Sequence, residues 1–218
     1  MEKGKFLAVF DLDGTLNQTH LFSVPAHRQA LEEMGFPPKT DEEIMNTFGM
    51  IAADYLKVLL PEGSEAVGRE YLHRVAVLEY EFITSTGKAY EGVPELLDAL
   101  KARGFSTAVC SNASHRYISF VLNALGLAQK IDYIQPIIDG MTKVETLGVL
   151  LKHVAPAHAV MVGDTAYDIK AGTENGLPTI GCLYGFRPWE LDKASFTVNT
   201  PLEALPIIEE ISKKLHNF

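Results

Sequence analysis

No apolar run in the chain approaches the roughly 20 residues that a membrane-spanning helix needs. The run nearest the start, Phe6-Leu7-Ala8-Val9-Phe10, stops after five residues at Asp11. The opening Met1-Glu2-Lys3-Gly4-Lys5 therefore predicts no secretory leader, because the apolar region is too short and no cleavage site follows it. Cysteine is scarce: Cys110 and Cys182 are the only two, they lie in or near predicted strands, and they form no metal-type pair. A reduced, cytoplasmic setting is the expectation. Basic residues are outnumbered, 19 Lys and Arg against 28 Asp and Glu, giving a net charge of −9 and a pI near 5.2. That balance argues against a broad nucleic-acid or acidic-membrane surface, since neutralising phosphates takes clustered Lys and Arg. It leaves room for a small phosphorylated metabolite, which a few local donors and one cation can hold. Blocks of like charge, internal repeats and low-complexity tracts are missing as well, so nothing predicts an interaction tail or a repeat array.

What is present is a chain of 218 residues, 47% hydrophobic, long enough for one well-buried core and a small second unit. Phe6–Phe10 reads as a buried strand ending on Asp11-Leu12-Asp13-Gly14-Thr15. After Thr15 the pattern turns helical, with apolar residues three and four apart over Pro25 to Met34, Asp41 to Phe48, Ala52 to Leu60 and Glu65 to Ile83. In the last segment Val67, Tyr71, Val75, Leu78 and Phe82 mark one stripe. From Tyr90 onward strands and helices alternate. Strands are expected at Phe105–Cys110, around Tyr133-Ile134, at Ala159–Val162 and at Pro178–Cys182. Helices are expected from Glu91-Gly92-Val93-Pro94 to Lys101, at Arg116–Leu125, Lys143–His153 and Ala166–Asn175. Alternation at this pace implies right-handed crossovers and a parallel sheet. The fold class is α/β: a doubly wound, Rossmann-like core of residues 1–16 and 88–218, with a helical cap of residues 17–87 inserted after the first strand. The connectors Leu16–His20 and Thr86–Tyr90 are where such a cap would open and close.

In an open α/β sheet, ligands bind beyond the carboxyl ends of the strands. Asp11, at such a strand tip, suits a nucleophile and metal ligand, and Asp13 a general acid and base. The same five residues also suit a plain turn, given Asp and Gly. Three further strand ends carry polar residues. Ser111-Asn112 offers a hydroxyl and backbone amides suited to a phosphate oxygen, or an ordinary helix start. Lys143 stands at a helix N-terminus, against the macrodipole preference. Its ammonium can neutralise a carboxylate and a phosphate, or it is a solvated surface lysine. Asp164, in Gly163-Asp164-Thr165-Ala166-Tyr167-Asp168, can complete an oxygen-rich cation site with Asp11, or cap the helix that follows.

In order and spacing, Asp-x-Asp-Gly-Thr, Ser-Asn, Lys and Gly-Asp-Thr-x-x-Asp together resemble the four signature motifs of the haloacid dehalogenase-like hydrolase superfamily, over nearly the whole chain. Within it the chain is similar to the phosphoglycolate phosphatase and β-phosphoglucomutase branch, whose helical cap falls between the first and second motifs. The closing Leu183-Tyr184-Gly185-Phe186 with Glu190-Leu191 adds to that likeness. The resemblance implies a phosphatase for a small phosphomonoester, with Mg²⁺ as cofactor. By it, Asp11 attacks phosphorus and forms a phosphoaspartyl intermediate, while Asp13 protonates the leaving oxygen and then activates water. Thr15, Ser111, the amides near Asn112, and Lys143 hold the phosphoryl oxygens. Asp11, the backbone carbonyl of Asp13, and Asp164 hold the metal, with Asp168 behind them or acting through a water.

The chain departs from its relatives at Asn17-Gln18-Thr19, where an Asp-Ser or Asp-Thr pair is common. A phosphomutase of the same branch is the nearest alternative, and a catalytically silent binding module is the alternative from another class. A phosphonate-cleaving enzyme is disfavoured because Pro25 to Met34 contains no Lys, and a dehalogenase because Asp13 and Thr15 are present. His20, His27 and Arg28 read as solvated or hydrogen-bonded structural groups, and Tyr184 and Trp189 as packing residues.

Overall fold

Phe6–Phe10 is buried at every position, as a strand covered on both faces must be, and it forms β1 of the computed structural model, which describes residues 5–216. The Met1–Lys5 opening therefore lies outside the described residues except for Lys5. The chain divides into two compact units, Met1–Asn17 with Ala89–Phe218 and, between them in sequence, Gln18–Lys88. No helix among the described residues is long and apolar enough to cross a membrane.

The first unit holds a six-stranded, all-parallel sheet in the order β3-β2-β1-β4-β5-β6. Its strands are β1, β2 (Ser106–Cys110), β3 (Tyr133–Gln135), β4 (His158–Gly163), β5 (Thr179–Cys182) and β6 (Phe196–Val198). Leu7 and Val9 of β1, Ala108 and Cys110 of β2, and Ala159 and Met161 of β4 share one face by the two-residue period of a strand. They pack against Leu147 and Leu150 of one helix and Ala171 of another. The alternate residues, Phe6, Ala8 and Phe10, are buried as well. The helices of this unit are α5 (Val93–Ala102), α6 (His115–Ala124), α7 (Lys143–Val154), α8 (Ala166–Glu174) and α9 (Ala204–His216). β6 is one strand more than the sequence pattern suggests, because a three-residue edge strand is too short to show a period.

The second unit is helical: α1 (His20–Glu33), α2 (Asp41–Met45), α3 (Ala52–Leu59) and α4 (Gly68–Thr86). α1 begins five residues before the expected Pro25 and carries that proline inside it. Pro25 forfeits a backbone donor there, and the burial of Phe22, Ser23, Val24 and Ala26 offsets the loss. On α4 the buried stripe is Tyr71, Val75, Leu78, Glu79 and Ile83, so Phe82 is only half-buried and Ile83 takes its place. Two polar pairs join α1 to α4. Ser23 Oγ donates to Glu79 Oε1 at 2.6 Å, and His27 Nδ1 lies 2.6 Å from Tyr71 Oη.

Burial pushes His27 down from an ordinary 6.5 to about 4. A lowered histidine makes the folded state resist protonation, so its stabilising effect is complete above pH 6.5 and drains away as pH falls toward 4. Urea unfolding should show about 2 kcal/mol less stability at pH 5 than at pH 7 from this group alone. His27→Gln should flatten that slope, and an unchanged slope would refute the assignment.

Candidate active site

The parallel register sets Phe10 level with Val109 and with Val162, so Asp11 comes level with Cys110 and Gly163, the last residues of β2 and β4, and Ser111 and Asp164 follow directly after them. Two ladder bonds continue past the strands: Asp11 N–H donates to the Val162 carbonyl at 2.8 Å, and Ser111 N–H to the Gln135 carbonyl at 3.1 Å. The backbone thereby aims the side chains at the strand tips rather than leaving them on loose loops.

Lys143 is the first residue of α7, whose N-cap Thr142 accepts from Glu145 N–H at 3.3 Å while Glu145 Oε2 accepts from Thr142 N–H at 2.7 Å. This reciprocal cap satisfies the helix start without an acid at the first position. Lys143 is 6% exposed, and its Nζ lies 2.6 Å from Asp11 Oδ1 and 2.6 Å from Asp168 Oδ1. The surface-lysine alternative is excluded. Burial works against its charge, yet Asp11 and Asp168 more than offset that and hold the ammonium above the ordinary lysine range.

Asp11, Asp164 and Asp168 are all buried, and one oxygen of each lies within 4.8 Å of the others. Asp164 does not cap α8. Its Oδ2 accepts from Phe186 N–H at 2.8 Å and its Oδ1 from Thr15 Oγ1 at 3.2 Å. The helix start is served instead by Asp168, whose Oδ2 accepts from Thr165 N–H at 3.0 Å and Thr165 Oγ1 at 2.8 Å. One carboxylate thus spends one oxygen on its own helix and the other on Lys143. Burial, aided by Asp168, pushes Asp11 up from 3.8 to about 7, with Lys143 pulling the other way. Burial, then Asp168 and Asp11, raises Asp164 well above the usual carboxylate range. Three buried acids against one ammonium form an anionic, all-oxygen pocket wall, and these donors fit a hard divalent cation such as Mg²⁺.

The first loop is both a turn and a site. Leu16 N–H and Asn17 N–H each donate to the Leu12 carbonyl at 3.0 Å. Gly14 has φ +82°, and a Cβ there would lie 2.2 Å from Asp164 Oδ2, so glycine is required twice over. A Cβ at Gly163 would lie 2.2 Å from Asp168 Cγ, and the acids approach each other only because both positions lack a side chain. Thr15 is fully buried. Ser111 is also buried, and its Oγ accepts from Ala113 N–H at 3.2 Å. The start of α6 is capped by Ser114, which accepts from Tyr117 N–H at 3.3 Å, so Ser111 and Asn112 precede the cap rather than forming it.

Asp13 stands apart from the three clustered acids. Its Oδ1 accepts from Asn17 Nδ2 at 3.2 Å and from Tyr117 Oη at 3.1 Å, two partners that the motif spacing does not announce. Tyr184, expected to pack, also donates from Oη to the Thr15 carbonyl at 3.0 Å and lies against Tyr90, with ring centroids 4.8 Å apart. Trp189 is 69% exposed, which corrects its reading as a packing residue. Its short turn, Pro188–Glu190, is anchored through Glu190, which accepts from Ala166 N–H at 3.0 Å and pairs with Arg187 at 3.3 Å. Those polar ties hold the turn without the indole.

Residues 8–182 match the family model described as haloacid dehalogenase-like hydrolase. A phosphoglycolate phosphatase of Aquifex aeolicus (strain VF5) is 27% identical over 92% of this chain and 95% of its own. Another, of Vibrio vulnificus (strain YJ016), is 31% identical over 87% of this chain and 88% of its own. Among solved structures, a haloacid dehalogenase-like family hydrolase from Streptococcus pneumoniae is similar in fold, with a TM-score of 0.82 at 18% identity over 95% of this chain and 99% of that one. The match to the family model takes in Asp11, the helix that bears Lys143, and both Asp164 and Asp168, and the chain belongs to the haloacid dehalogenase-like hydrolases.

Proposed function

We propose that the protein is a Mg²⁺-dependent phosphatase acting on a small phosphomonoester, of the phosphoglycolate or sugar-phosphate kind, through a phosphoaspartyl intermediate. The observation that carries this reading is the buried ammonium of Lys143 between Asp11 and Asp168, beside Asp164. Phosphoryl transfer is chiefly positioning and charge neutralisation, and this arrangement supplies both. Relatives named phosphoglycolate phosphatases support the substrate class.

In this reading an Asp11 carboxylate oxygen forms a bond to phosphorus while the ester P–O bond breaks. The leaving oxygen takes a proton from Asp13. Water then loses a proton to Asp13 and attacks the phosphoaspartate, releasing inorganic phosphate and restoring Asp11. Lys143 fixes the Asp11 carboxylate through Oδ1 and, with Thr15, Ser111 and Asn112, holds phosphoryl oxygens. Asp11, Asp164 and the backbone carbonyl of Asp13 would hold Mg²⁺, and Asp168 belongs to the same acid cluster. When bound, the cation supplies charge neutralisation between the carboxylates and the phosphoryl oxygens. The absence of nucleic-acid partners accords with the acidic charge balance, and a cytoplasmic location with the two free cysteines.

Asp11→Asn should reduce hydrolysis of p-nitrophenyl phosphate to below about a thousandth of wild type, with the far-UV circular dichroism spectrum preserved. Near-wild-type turnover would remove Asp11 as the nucleophile. Dialysis against a chelator should abolish turnover, and Mg²⁺ should restore it. Ca²⁺ should not, because it prefers more ligands at longer distances. No metal-stimulated turnover even at high enzyme concentration would favour a silent binding module. A panel of phosphorylated metabolites ranked by kcat/KM would identify the substrate.

A further inference from the structure

Two neutral donors are aimed at one oxygen of Asp13. Asn17 Nδ2 and Tyr117 Oη lie 3.2 and 3.1 Å from Oδ1. Neither donor is free to wander. Asn17 is fully buried, its N–H donates to the Leu12 carbonyl, and its own carbonyl accepts from Gly14 N–H, each at 3.0 Å. Tyr117 sits in the first turn of α6, where its N–H donates to the cap hydroxyl of Ser114.

A carboxyl group turns easily about its last torsion, which is broad and two-fold. Two hydrogen-bond donors converging on Oδ1 remove that freedom. A group that must give a proton to a leaving oxygen and later take one from water gains from a carboxyl held in one orientation through both steps.

We propose that Tyr117 is a positioning residue which, together with Asn17, fixes the orientation in which the Asp13 carboxyl transfers the proton. The proposal rests on the reading of Asp13 as general acid and base. It gives Asn17, at the point where the chain departs from its relatives, a defined role, and it assigns one to a tyrosine 104 residues away in sequence.

The test compares two leaving groups. A nitrophenolate departs without a proton, whereas an alkoxide needs one, and kcat/KM covers the steps up to that departure. For Tyr117→Phe, kcat/KM should fall about tenfold on whichever alkyl phosphate of the metabolite panel is turned over. On p-nitrophenyl phosphate it should stay within about twofold. The inhibition constant for inorganic phosphate should be unchanged, which shows the site intact. Asp13→Asn should cost more on the alkyl phosphate than on p-nitrophenyl phosphate, and more there than Tyr117→Phe does, and adding Tyr117→Phe to it should cost nothing more. Equal loss on both esters, or no loss on either, with the selective defect of Asp13→Asn intact, would overturn the positioning role and leave the acid and base reading standing. An Asp13→Asn enzyme with no such selectivity would overturn that reading and the positioning role with it.

Discussion

A single ammonium held between two carboxylates organises the catalytic unit. Lys143 meets Asp11 and Asp168 at the same distance, 2.6 Å, and all three side chains are withdrawn from water. Removing one partner of a buried ion pair leaves charge without compensation and costs about 3–5 kcal/mol. The local chain is shaped to avoid that outcome. The reciprocal cap at Thr142 and Glu145 delivers the lysine, the ladder bond to Val162 aims Asp11, and Thr165 occupies the second oxygen of Asp168. Asp164, the third acid, has backbone and hydroxyl donors but no ammonium of its own at hydrogen-bond range among the described residues. Its charge is the one the ammonium offsets least, and burial beside the other two acids raises its carboxyl well above the usual carboxylate range.

The second unit solves a different problem with related means. Phe22 and Leu31 of α1 and Tyr71, Val75 and Leu78 of α4 are buried, and two short polar pairs add to what fixes how α1 lies along α4. Ser23 is hydrogen-bonded to Glu79 and His27 to Tyr71, and His27 also stands edge-on to Tyr55 at 5.8 Å between centroids. Satisfied buried polar groups specify one arrangement over near alternatives more sharply than interchangeable methyl groups do.

Much of this was legible in the residues. The apolar run Phe6–Phe10, the acids at its tip and the alternation after Tyr90 point directly to the parallel sheet and to the strand ends that carry Asp11 and Asp164, since strand period and strand-end chemistry are local properties, whereas Lys143, at a helix start, stood equally as a surface lysine until the family resemblance singled it out. The start of α1 was not legible, because Pro25 signals a first turn and only tertiary burial of Phe22 carries the helix past it. β6 escaped for want of length. The shift from Phe82 to Ile83 reflects drift of the apolar stripe along a 19-residue helix. Tyr117 was invisible as a partner of Asp13, since a side-chain contact spanning 104 residues leaves no mark on spacing, and Asn17, four residues on, stood out only as a departure from the family pattern.

Trp189 is the chain's only tryptophan, and it faces solvent from a short turn held by Glu190. Its indole already occupies surroundings close to those of a denatured chain. Emission from that ring reports on one peripheral turn of the sheet-bearing unit and is nearly blind to melting of the helical unit, where the absorbing rings are tyrosines and phenylalanines. Spectroscopy on this molecule therefore needs a second chromophore before its two units can be told apart.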